Sequence, residues 1–204
     1  MPRRERVAGV VLAAGRSTRM GRPKLALPLA GRPLVRHAVD AALAAGLAEV
    51  VVVLGADAAA VGGALAGADE RVRVVVNPRP ESGQGTSLRC GLAALGAAVD
   101  GAAVLLGDQP AVGARLIAAV VAAFRAGSAP IVRPVYGDGT PGHPVVLARE
   151  VWPAAAALRG DEGARALLAA HPDWLAAVAI DGPPPADVDT PDDYTRALRG
   201  APAR

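Results

Sequence analysis

Four cationic side chains crowd the stretch from Val10 to Lys24: Arg16, Arg19, Arg22 and Lys24, with Ser17 among them and glycines at 15 and 21. They follow an apolar run (Val7, Val10, Val11, Leu12) that reads as a buried strand and stops abruptly at Ala13-Ala14-Gly15. Small residues at a strand end let the backbone come close to a ligand, and N–H groups in such a turn form a concave anion site. Cations on a short loop after a strand suit a polyanion, and a nucleoside triphosphate is the obvious one. The candidate nucleotide contacts are Leu12, Ala13, Ala14, Gly15, Arg16 and Ser17, and the loop's further cations, Arg19 and Lys24 among them, suit its phosphates. A solvated basic loop is the plainer alternative.

Two familiar phosphate loops are excluded by spacing. The P-loop needs GxxxxGK[ST], whereas Lys24 here lies three residues past Gly21. The dinucleotide fingerprint needs GxGxxG and an acid about 20 positions later. Gly15 is followed by Arg16 and Ser17, and the first acid after it, Asp40, falls inside an apparent helix.

Carboxylates appear at two further places. Asp108, in Gly107-Asp108-Gln109-Pro110, directly follows an apolar strand. A carboxylate at a strand end beside a triphosphate is how Mg²⁺ is usually held, although Asp also caps turns. Asp187 and Asp189 flank Val188; in an extended segment both would face one side and could supply a second metal contact. Thr190 and Pro191 equally signal a helix start, where one acid would face the helix dipole. Gly83-Gln84-Gly85-Thr86-Ser87-Leu88 sets amide and hydroxyl groups before a helix, a combination suited to a pyrimidine edge and its ribose, which makes Gly83, Gln84 and Ser87 nucleotide candidates. His143, in Gly142-His143-Pro144, is the candidate for the second substrate, or an ordinary hairpin histidine. His37 and His171 are assigned to helix surfaces. No Ser–His–acid set or zinc-ligand spacing is present.

The elements that must position these groups alternate. Strands are expected at Val50–Leu54, Val72–Val76, Ala102–Leu106, 130–135 and 174–180. Helices are expected at Leu34–Ala45, with Gly46 as C-cap, up to about Ala66, from about Thr86 (capped by Thr86 or Ser87), over 113–126, 148–158 and 161–171 (capped by Asp161), and after Pro191. The turn 136–142 and residues 143–147 read as a hairpin with the fifth strand. Strand–helix alternation implies a parallel α/β sheet with its ligand at the carboxyl ends of the strands. Every candidate above sits at such an end or in a loop.

Composition narrows the partners. The 204 residues suit one well-buried domain spanning 1–204. Net charge is only +3, and two Trp, two Tyr and one Phe give no stacking platform for nucleic acid. The lone Cys90 fits a reducing compartment, and no apolar run approaches the roughly 18 residues of a membrane span. The basic, then apolar N-terminus superficially resembles a signal peptide, but its apolar run is short and arginines follow at once, so it reads as a first strand and the protein as cytoplasmic.

The first loop resembles the pyrophosphorylase signature of nucleotidyltransferases, LxxGxGxRM followed by PK. It matches at Leu12, Gly15, Arg19, Met20, Pro23 and Lys24, with Ser17 in place of the second glycine. The LAAGRSxRMGxxK form is most similar to the molybdenum cofactor cytidylyltransferases, the MobA/MocA-like group. GQGTSL, GDQP, GHPVVL, GDEGAR and DVDTPDDY follow in that family's order. The resemblance implies a single Rossmann-like three-layer domain of the nucleotide-diphospho-sugar transferase type. It implies transfer of CMP from CTP to the terminal phosphate of molybdopterin, with pyrophosphate released and a molybdoenzyme as eventual recipient. It also implies Mg²⁺ at Asp108, with Asp189 the better of the second pair, and a nucleotide site lined from Gly83 to Gly91. Ala14 leans toward CTP, since guanylyl-transferring relatives typically carry LAGG. A GTP-using relative, a nicotinamide-dependent oxidoreductase and an assembly factor without turnover are the alternatives.

Overall fold

The computed structural model describes residues 4–157 and 163–200. In chain order the elements are β1 (Val7–Ala13), a short hairpin of β2 (Pro28–Leu29) and β3 (Arg32–Pro33), α1 (Leu34–Ala44), β4 (Val50–Leu54), α2 (Ala58–Ala64), β5 (Val72–Val76) and α3 (Gln84–Ala94). They continue with β6 (Gly101–Leu106), α4 (Ala114–Ala126), β7 (Ile131–Tyr136), β8 (Val145–Ala148), α5 (Trp152–Ala156), α6 (Gly163–Ala170), β9 (Leu175–Ile180) and α7 (Pro191–Gly200). Seven strands form one sheet in the order β5-β4-β1-β6-β8-β7-β9, and β2 and β3 pair separately.

All pairings in the large sheet are parallel except those of β8, which runs antiparallel to both β6 and β7. The expected hairpin therefore forms, but its second strand slots between β6 and β7 and brings the segment before it up to the end of β6. Parallel strands are covered on both faces and need no polar alternation, and every residue of β4 is buried. Alternate residues of β1 feed two cores. Val7, Val11 and Ala13 join α1, α2 and α4 through Leu34, Val39, Val61, Ile117 and Phe124. Ala8 and Val10 join α3, α5 and α6 through Leu88, Leu92, Trp152 and Leu167.

The helix α3 must lie close on the sheet, and Gly91 allows it. A Cβ at Gly91 would sit 2.4 Å from Val10 Cγ1 and 3.0 Å from Val53 Cγ2, both strand side chains in the core. Gly91→Ala is thus expected to destabilise the protein by about 1–3 kcal/mol, the usual range for overpacking a core, read as a fall in thermal midpoint. An unchanged midpoint would mean that α3 rides higher on the sheet.

The sequence placed the start of α3 two residues late. It begins at Gln84 after Gly83, whose φ of 97° is a conformation that favours glycine. Thr86 and Ser87 are then inside the helix and do not cap it: Thr86 donates its hydroxyl to the Gly83 carbonyl at 2.8 Å. The expected Asp161 cap and part of the GDEGAR string lie outside the described residues. His37 is half-buried and its Nε2 lies 2.9 Å from the Leu29 carbonyl, so it ties α1 to the small hairpin rather than facing solvent. His171 follows α6 and stacks on Trp174 at 3.7 Å.

Candidate active site

The loop after β1 turns through Ser17, whose φ of 49° and ψ of 29° are left-handed. A side chain in that region costs of order 1–2 kcal/mol, which is the physical reason a glycine suits the position. Ser17 offsets part of this locally: its carbonyl accepts the N–H groups of Met20 (3.0 Å) and Gly21 (3.2 Å). Its hydroxyl accepts the Lys24 N–H at 3.2 Å, which fixes where the lysine leaves the chain. Gly55, at the end of β4, clears the other side; a Cβ there would lie 2.4 Å from the Ala14 carbonyl oxygen.

Lys24 is the centre of the arrangement. Its Nζ donates to Asp108 Oδ2 and to Asp189 Oδ1, each at 2.7 Å. The lysine side chain is only 9 % exposed, against 24 % for Asp108 and 30 % for Asp189. Burial works to lower the lysine pKa, but the charge of Asp108 and the hydrogen bonds of both carboxylates outweigh it, and the net shift is upward. Asp189 is held below the usual carboxylate range by its hydrogen bond from Lys24, with Arg19 adding to the effect. Arg19 donates to Asp189 Oδ2 at 2.9 Å from a largely exposed position.

The segment DVDTPDDY resolves residue by residue. Thr190 caps α7 by accepting the Asp193 N–H at 3.2 Å, and Asp193 reaches back to the Thr190 N–H at 2.7 Å, a reciprocal capping box. Capping is therefore done by Thr190 and Asp193, which leaves Asp189 to the cleft. Val188 is buried and donates its N–H to the Asp108 carbonyl at 3.0 Å, fastening this segment to the end of β6. Asp187 turns away and accepts from Gln109 Nε2 at 2.7 Å. Burial, with the charges of Asp108 and Asp189, raises its pKa. Tyr194 donates its hydroxyl to the Pro28 carbonyl, tying α7 to the small hairpin.

Two adjoining cavities open on Asp108. One, of about 240 Å³, is lined by Leu12, Ala13, Gly15, Arg16, Ser17, Arg19, Lys24 and Asp189 among others. The second, of about 270 Å³, lies on the α3 side and is lined by Leu12, Ala14, Gly15, Arg16, Pro80, Gln84, Ser87 and Leu106. Leu12, Gly15, Arg16 and Asp108 border both. The structure thus gathers the predicted loop residues, Gln84 and Ser87 on one continuous cleft. Gly83 lines neither cavity and serves as the entry to α3, and Arg22 is exposed and lines neither. His143 borders neither cavity but lies close enough to Asp108 and Arg133 to feel both charges.

Sequence reasoning passed over Asn77. Its buried carboxamide donates to Thr86 Oγ1 (2.8 Å) and Ser87 Oγ (3.0 Å), locking the first turn of α3 to the end of β5. The signal available was a polar residue directly after an apolar strand and before Pro78.

Among the described residues no three His, Cys, Asp or Glu side chains converge to hold a metal. Asp108 and Asp189 already share one cation, the lysine ammonium, so a divalent cation fits the same pair. Mg²⁺ characteristically takes one or two carboxylates and completes its shell with phosphate oxygens and water.

A mostly parallel α/β sheet with a small-residue loop, a cationic cleft and paired carboxylates at the carboxyl end of its strands defines a nucleotide-handling enzyme. Sequence comparison supplies the particular family. The chain belongs to the MobA-like NTP transferase domain family, whose profile matches residues 9–175, and it is a nucleotidyltransferase. It is 38 % identical over 203 residues to the nicotine blue oxidoreductase of Paenarthrobacter nicotinovorans, covering 94 % of this chain and 96 % of the relative. The purine catabolism protein PucB of Bacillus subtilis is 36 % identical, with 94 % and 95 % covered. Among solved structures, Rv0371c of Mycobacterium tuberculosis superposes with a TM-score of 0.84 at 36 % identity, over 97 % of this chain and 100 % of that one. That protein has also been solved in complex with manganese.

Proposed function

We propose that the protein transfers CMP from CTP to a phosphorylated acceptor of the pterin type, molybdopterin being the best fit, and releases pyrophosphate. The observation that carries this reading is the Lys24 ammonium held between Asp108 and Asp189 at the junction of two cavities, one cationic and one edged by amide and hydroxyl groups. The triphosphate lies along the loop, met by main-chain N–H groups around Gly15 and by Arg16 and Arg19, and the base enters beside Gln84 and Ser87. The acceptor phosphate attacks the α-phosphorus in line. Being a monoester it is already anionic near neutral pH, so no general base is required. Lys24 contacts the reacting phosphate and offsets charge developing in the transition state. Asp108 and Asp189 would hold Mg²⁺, which when bound neutralises phosphate charge. We take residues 1–204 as one such domain acting in the cytoplasm, with a molybdoenzyme receiving the product and neither nucleic acid nor membrane as partner.

Base selection rests on Ala14 and Gln84, both on the wall of the second cavity. Titration calorimetry with Mg²⁺ present should show CTP binding more tightly than GTP by about 1.4 kcal/mol or more, a factor of ten that hydrogen-bond recognition supplies readily. Equal affinities, or a preference for GTP, would move the protein to guanylyl transfer. Pyrophosphate release on adding molybdopterin to the CTP complex tests the acceptor. The oxidoreductase name carried by one relative describes that relative. For this chain it would be favoured by NADH or NADPH binding in place of CTP.

A further inference from the structure

Across β6 from the nucleotide loop lies a second polar group of side chains, Arg133, His143 and Gln109, which lines neither of the two cavities. Arg133, in β7, is partly buried; its Nε is shut off from solvent and has no hydrogen-bond partner among the described residues. Burial lowers its pKa, and no carboxylate is paired with it among the described residues. Buried donors are almost always satisfied, so an orphaned guanidinium N–H calls for a partner that the described residues do not supply. A second orphan is close to the first site: Gln109 is 9 % exposed, its Nε2 is committed to Asp187, and its Oε1 has no partner among the described residues.

The sheet places Arg133 with some exactness of register. Val135 pairs with Pro141 and Val132 with Val146, so the four residues Gly142, His143, Pro144 and Val145 lie opposite only two, Arg133 and Pro134. Such a bulge re-aims side chains, commonly at active sites. Val145 in turn pairs with Val104 of β6, four residues before Asp108. His143 sits between, partly accessible yet desolvated enough by the surrounding walls that its pKa falls to about 4. It is therefore neutral at physiological pH and offers both a donor and an acceptor nitrogen. Tyr136 props the bulge: a Cβ on Gly142 would lie 2.4 Å from its ring.

We propose that Arg133, with His143 opposite it and the Gln109 carboxamide next to Asp108, anchors the second substrate through a carbonyl or anionic oxygen, on the side of Asp108 away from the nucleotide loop. This rests on the transferase reading. In-line displacement sets the attacking and leaving oxygens on opposite sides of the phosphorus. The loop after β1 takes the leaving pyrophosphate on one side, and the strand order β1-β6-β8-β7 puts Arg133 on the other. Arg133 calls for oxygen acceptors and Gln109 Oε1 for an N–H or O–H, a pattern found on the edge of an oxo-heterocycle.

The test uses the intrinsic fluorescence of pterin-6-carboxylate, titrated into the full-length protein with CTP and Mg²⁺ present. Arg133→Ala should weaken probe binding at least tenfold, and Arg133→Lys, which keeps the charge but loses the planar fork, should fall between. CTP affinity by calorimetry and the thermal midpoint of Arg133→Lys should match wild type. Unsubstituted pterin separates the two oxygen sources: a loss with both probes assigns the contact to the ring carbonyl, a loss with the carboxylate alone to the anion. Undiminished probe binding by Arg133→Ala, or an equal loss of CTP binding, overturns the assignment. No probe binding to wild type would also overturn it, while normal CTP binding in that case leaves the transferase reading standing.

Discussion

Lys24→Ala should lower kcat by roughly 10²–10³, the scale of losing one preorganised donor to a developing oxyanion, with the KM for CTP little changed. The lysine is well placed for this: its stem is fixed by the turn through Ser17, and its ammonium is nearly sealed from water. An interaction made chiefly in the transition state lowers kcat and kcat/KM together. Arg22→Ala, on the same loop but exposed and outside both cavities, should behave almost like wild type. A second measurement guards against mere disruption. Without the ammonium, Asp108 and Asp189 face one another with no shared counter-ion, so added Mn²⁺ should raise the thermal midpoint of Lys24→Ala more than that of wild type. If Lys24→Ala raises only KM, or if the two variants behave alike, the loop is a general attractor of anions.

Asp108→Ala should remove metal-dependent pyrophosphate release by about 10³-fold or more while the protein stays folded, since charge neutralisation at the phosphates is the largest catalytic contribution in such chemistry. Folding survives because the structural tie at this position is the main-chain carbonyl that accepts the Val188 N–H, and alanine keeps it. Asp189→Asn retains an oxygen for Lys24 but loses the charge, so activity should fall and the Mg²⁺ concentration giving half-maximal rate should rise. Asp187→Asn should leave that Mg²⁺ dependence nearly unchanged, because Asp187 is spent on Gln109. Unchanged turnover in Asp108→Ala at matched Mg²⁺ would reduce the residue to closing a turn. Parallel behaviour of the two asparagine variants would remove the distinction drawn between Asp187 and Asp189.

The sequence disclosed most of the framework because its signals were local. Continuous valine at 50–53 can only be a strand covered on both sides, and GDQP after an apolar run had to present Asp108 at a strand end. Where contacts span the chain, local signals ran out. Nothing near Lys24 announces that it will bridge Asp108 and Asp189. The split between Asp187 and Asp189 turns on Gln109 and on the capping role of Thr190 and Asp193, which compete for the same few residues. The insertion of β8 between β6 and β7 follows from sheet pairing, which a hairpin pattern does not specify. Ser17 was visible only as a departure from a glycine pattern; its left-handed backbone explains the pattern and the departure together. The two hydroxyls expected to cap α3 serve instead as acceptors for Asn77.

The ammonium at the heart of the cleft joins partners separated by 84 and 165 positions along the chain. During synthesis the loop, β1 and β6 emerge first, and a ribosome-bound chain can pair Lys24 with Asp108 alone. Only when the segment leading into α7 leaves the ribosome does Asp189 arrive, drawn in by the Val188 tie to the end of β6. An unfinished chain therefore carries the cationic loop and only one of the two carboxylates that hold its lysine. Lys24 keeps a single carboxylate partner until that segment is made, and a message cut short before Pro185 yields a fragment that lacks Asp189 and the second of the two ion pairs.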